Sequence, residues 1–103
     1  MLIENTFDFK KDDQITLKLV TSEEIIADFL AIDGEFLTVQ HPLTATITEK
    51  GVNLHPCMLT THMDEKLKIH KNHILIVAKP NEEAIQTFKE AVARPRKEQN
   101  DIT

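Results

Sequence analysis

Tryptophan and tyrosine are missing from this chain, and cysteine, serine and glycine are nearly so. Cys57 stands alone, so no internal disulfide can form, and such a chain suits a reducing compartment. Ser22 is the single serine, and nothing around it resembles the strand–turn–helix elbow that exposes a catalytic serine. Two glycines in the whole chain exclude a glycine-rich loop that cradles phosphates. Without Trp or Tyr the core has to be aliphatic, helped by five Phe. No run approaches the ~20 apolar residues of a membrane helix. The start, Met1 to Asp13, carries acids and no apolar segment, which predicts no signal peptide. A cytoplasmic protein with no membrane contact is therefore expected.

The 103 residues suit one domain, and 41% of them are hydrophobic, enough for a real core. The formal charge is −5. Phosphate contacts rely on Lys and Arg, so this balance argues mildly against a general nucleic-acid binder, and DNA is not expected as a partner.

Hydrophobic spacing points to strands. Phe7 and Phe9 alternate with Asp8 and Lys10, the pattern of a short edge strand. Ile15, Leu17 and Leu19 alternate with Thr16 and Lys18, a half-buried strand over 14–20. Thr21 to Glu24 is a polar break. Its Ser and Glu residues resemble a helix capping box, so a helix over 22–32 competes with a strand there. Asp33-Gly34, a strong hairpin signal, decides for strand–turn–strand through Gln40. His41-Pro42 predicts a bend, since proline is confined to edges and bulges of sheets. Alternation resumes over 43–48, Lys50-Gly51 turns, and 52–61 returns as a strand broken at His55-Pro56. Leu67 to Ile69 is short and extended, and Lys71-Asn72 leads into an apolar strand over 73–79. The helix comes last, over 81–94. Asn81 caps it, Glu82 and Glu83 sit in the favourable first turn, and Ala84, Ile85, Phe88, Ala91 and Val92 form its apolar stripe. Pro95 ends it, and 95–103 reads as a disordered tail.

Chemistry-bearing clusters are sparse. His70 and His73 are three apart, but across a turn. His55 and Cys57 are two apart, with His62 nearby, which makes a metal-dependent enzyme the weakest functional reading. No zinc-ligand spacing occurs. Asp12-Asp13 and Glu23-Glu24 read as solvated turns. No catalytic residue, metal site or cofactor is predicted, and the chain is read as a non-enzyme.

Two strands lack the alternation of a half-solvated sheet. Residues 25–32 are broken only by Asp28, and 74–78 by nothing. Either the last strand is buried between the sheet and the helix, or it meets another copy of the chain.

Over roughly 15–79 the sequence resembles the Sm and Sm-like (LSm, Hfq-type) proteins, most narrowly those encoded by bacteriophages, including phages of marine cyanobacteria. Ala27, Phe29, Asp33 and the pair Phe36-Leu37 fall on the first Sm motif. Asp33 matches outright, Phe36 offers a stacking surface, and Leu37 replaces the base-reading Asn. Ile69-His70-Lys71-Asn72-His73-Ile74 falls on the second motif, with His70 and Lys71 in place of Arg and Gly. The helix here follows the strands, whereas the usual Sm helix precedes them.

The resemblance implies a mainly β fold, a small, strongly bent five-stranded antiparallel Sm-like (SH3-type) barrel over 14–79 with one C-terminal α-helix. It implies a homo-oligomeric ring of five to seven subunits, with Ile74, Leu75, Ile76 and Val77 at the subunit interface. It also implies single-stranded RNA as a ligand at Asp33, Phe36, Leu37, His70, Lys71 and Asn72, an aromatic platform beside basic and polar groups. If the chain is phage-encoded, the cytoplasm is the host's. A ring that has lost RNA and serves as a protein-interaction scaffold is the alternative.

Overall fold

The computed structural model describes residues 8–93. Six strands and one helix follow one another: β1 (Gln14–Leu19), β2 (Glu24–Asp33), β3 (Phe36–Thr48), β4 (Gly51–Pro56), β5 (Lys66–His70), β6 (Ile74–Ala78) and α1 (Glu82–Val92). A single 3-10 turn, Lys71–His73, joins β5 to β6. The fold is mainly β and antiparallel, with one C-terminal helix. The sequence expectation differs at two places: the region 52–61 yields a strand only to Pro56, and Phe9 lies outside any strand. The stretch leading to Asp33-Gly34 is strand, as expected, and not the competing helix. Phe7 and the tail over 95–103 lie outside the described residues.

The strands form one sheet in the order β4-β3-β2-β1-β6, and β5 pairs with the first half of β3. β6 returns to pair with β1. Among the described residues β5 and β6 are not paired with each other, so the sheet is not a closed barrel.

The long β3 works because it is bulged. Opposite β2, Ile26 pairs with Leu43 and Asp28 with Gln40, so His41 and Pro42 together face Ala27. Such a bulge leaves one residue out of the ladder and bends the strand. Pro42, which has no N–H to donate, is tolerated there. His41 takes a left-handed backbone, φ 56°. The bulge also switches faces. Leu37 and Val39 point to one side of the sheet, and Leu43 points to the other.

Each side therefore has its own core. Ile15, Leu17, Ala27, Phe29, Leu37, Val39 and Ile74 fill the first. Ile26, Leu43, Met63 and Phe88 fill the second, where α1 lies. This explains why Ile25, Ile26 and Ala27 are all buried in succession. α1 is held at its start by Asn81, whose Oδ1 accepts the Ala84 N–H at 2.8 Å. Phe88 is its anchor, 1% exposed. No helix among the described residues is long and apolar enough to cross a membrane.

Candidate functional site

The two short segments singled out in the sequence meet in space. The first is the hairpin link between β2 and β3. Ile32 pairs with Leu37 and Asp33 with Phe36, leaving only Gly34 and Glu35 to turn the chain. Gly34 adopts φ 63°, where a side chain is strained. The second segment is the end of β5 with its 3-10 turn. Phe36 and His70 are cross-strand partners, so their side chains share a face.

The Phe36 and His70 rings lie 5.1 Å apart and edge to face. The His73 ring stands 6.1 Å from His70, again edge to face. His70 thus touches a ring on either side, Phe36 and His73. The Lys71 N–H donates to the Glu35 carbonyl at 2.8 Å, tying the two segments together through the backbone.

His70 has a defined tautomer. Its Nδ1 accepts the Asn72 N–H at 3.1 Å, which puts the ring proton on Nε2. Nε2 faces Glu35 Oε1 at 3.4 Å. Phe36 is 39% exposed, so part of its ring is open to a ligand. Asp33 and Asn72 are exposed, and Lys71 is half-buried.

Leu37 does not belong to this surface. It is 0% exposed and sits in the first core, so its side chain offers nothing to a base. Glu35 and His73 belong to the surface instead, and the sequence reading left both out. A two-residue link guarantees that Glu35 meets the strand across from Phe36. That signal was present in Asp33-Gly34-Glu35-Phe36.

The apolar strand β6 divides differently from the expectation. Ile74 pairs with Leu19 and Ile76 with Lys18, so Leu75 is an extra, bulged residue. A bulge sets two successive side chains on the same side. Ile74 is 4% exposed and Val77 packs against the first core. Leu75 and Ile76 remain 63% and 57% exposed. The helix α1 lies over β2, β3 and β4, not over β6. Of the four candidate interface residues, then, Leu75 and Ile76 present open surface, Val77 is half-buried and Ile74 belongs to the core. His55, Cys57 and His62 do not gather: among the described residues no group of three His, Cys, Asp or Glu stands close enough to hold a metal ion.

No protein-family model and no curated protein matches the chain. Among solved structures, one chain of a crystal structure of the NatC complex bound to CoA is similar to it. The TM-score is 0.47 and the identity 9%, over 80% of this chain and 99% of the other. A likeness at that level carries no weight for fold or function.

Proposed function

We propose that this chain is an Sm-like ring subunit, in which β5 of one copy pairs with β6 of the next, and that single-stranded RNA is its ligand. The observation that carries the assembly is a pair of open edges. Among the described residues β5 pairs only with β3 and β6 only with β1, while the third open edge, that of β4, is not used in this assembly. Unpaired edges with apolar side chains invite another strand. Leu75 and Ile76 sit on the open edge of β6, and α1 does not cover them. Support for the fold comes from strand order: β6 returns to β1, β5 lies on β3, and one short turn links them.

RNA binding is supported by the ring contacts of Phe36, His70 and His73 beside Lys71. Unstacked bases of single-stranded RNA lie on such aromatic faces, each contributing ~1–3 kcal/mol. Light scattering at micromolar concentration tests the ring, with five to seven times 11.8 kDa expected. A monomer overturns it. Fluorescence anisotropy with short U-rich and A-rich RNAs tests the ligand. Affinity no better than the ~10⁻⁴–10⁻⁶ M of non-specific contact overturns that half.

One observation favours the scaffold alternative. Asp33 and Glu35 place two carboxylates at the turn, and Glu35 stands where a phosphate would approach His70. A ring that assembles but binds no RNA decides for the scaffold.

A further inference from the structure

A second cluster lies away from both turns. His41, on the β3 bulge, reaches Asp28 of β2 with Nδ1 at 2.8 Å. Its Nε2 reaches Asp64, in the loop between β4 and β5, at 2.9 Å. The ring is only 16% exposed. Gln14 of β1 donates to the other oxygen of Asp28 at 2.8 Å. Gln40 donates to the Asp64 carbonyl at 2.6 Å. β5 contributes Lys66, the cross-strand partner of Gln40. One imidazole thus ties three separate pieces of chain.

Its chemistry is specific. Two carboxylates accept and do not donate. Both contacts are hydrogen bonds only when both ring nitrogens carry protons, as in the imidazolium. A neutral ring donates to one carboxylate and turns a lone pair to the other. The backbone adds a second sign of constraint, because His41 is held at φ 56°. Residues in such conformations persist when their surroundings over-determine them.

The loop held by this ring carries the second core's one loop residue. Met63 is 9% exposed and packs with Ile26, Leu43 and Phe88. Met58, in the same loop, is 46% exposed.

We propose that Asp28, His41 and Asp64 form a proton-operated latch that clamps the loop over 57–65 onto the sheet when His41 is an imidazolium and releases it when the ring is neutral. The latch is closed while the ring keeps both protons and opens when it loses one, and histidine is the side chain that makes such a change nearest neutrality. Release lifts Met63 from the second core.

Methionine oxidation by dilute peroxide reads this directly, with Met58 as the internal reference. Mass spectrometry of the intact protein, digested after quenching, gives the ratio of Met63 to Met58 oxidation. From pH 5.5 to 8.5 that ratio is expected to rise roughly tenfold, the worth of one hydrogen bond to a charged group. Asp64→Asn is the decisive variant. Its amide donates to Nε2 of a neutral ring while Nδ1–H donates to Asp28, so the latch holds at both pH values and the ratio stays low. A flat ratio in the unmodified protein overturns the latch, and so does an equal rise in Asp64→Asn. If that variant does not fold, the unmodified protein decides alone.

Discussion

Phe36 and Leu37 are neighbours in sequence with opposite surroundings. Leu37 is fully enclosed, while Phe36 is 39% exposed beside His70. Leu37→Ala is expected to lower stability by about 2–5 kcal/mol, read by urea unfolding, because it opens a cavity in the first core. Phe36→Ala is expected to cost about 1 kcal/mol or less in the same measurement and to weaken RNA binding at least threefold by anisotropy. An unchanged affinity moves the ligand elsewhere. Cys57 is a different kind of residue. Burial pushes its thiol above the ordinary value of 9.0, the charge of Glu23 adds to this, and a hydrogen bond with Thr44 opposes it. The thiolate is the reactive form, so iodoacetamide should label Cys57 more slowly in the folded protein than in urea at pH 8.5. The folded thiol holds its proton more tightly than the unfolded one. Its contribution to stability is thus fully present below the unfolded value and is lost as pH rises through the folded one, a window beginning near 9.0.

Among the elements, those with a clean local signal were legible in the sequence. β1 alternates, Asp33-Gly34 links β2 to β3, and Asn81 with Glu82 and Glu83 starts α1. What local pattern does not carry is the switch of faces at a bulge. Alternation through Leu43, Ala45 and Ile47 looks continuous with Leu37 and Val39, yet the bulge at His41 and Pro42 puts it on the opposite side. The same blindness gave all of Ile74 to Val77 to one surface. The Asp28–His41–Asp64 cluster escaped because its members lie 13 and 23 residues apart. Its one trace in the sequence is Asp28, a lone charge in an apolar strand. The element-level expectation for α1 follows from Phe88. Phe88→Ala should lower stability by about 3–5 kcal/mol, seen as a drop in Tm. For β6, Leu75→Lys with Ile76→Lys should leave the chain folded by circular dichroism while reducing the mass by light scattering to a single chain, with a Tm lowered only by the loss of assembly. A loss of folding instead would place those side chains in a core of the monomer.

For the whole molecule, the two edges that the proposed assembly joins are unlike each other. β5 offers lysines, Lys66 and Lys68, and β6 offers Leu75 and Ile76. Joining unlike edges is head-to-tail addition, and every copy added leaves one edge of each kind at the ends. Under the proposed assembly, growth stops only when the first and last copies meet. A copy with a proline at Val77, which lies opposite Leu17 and turns its N–H away from β1, cannot offer β6 to a neighbour, because proline removes that N–H from the new ladder. Such a copy still offers β5. Mixed in as a minor component, it acts as a chain terminator. It caps each growing arc after one addition, and a small fraction of it should prevent many unmodified copies from closing.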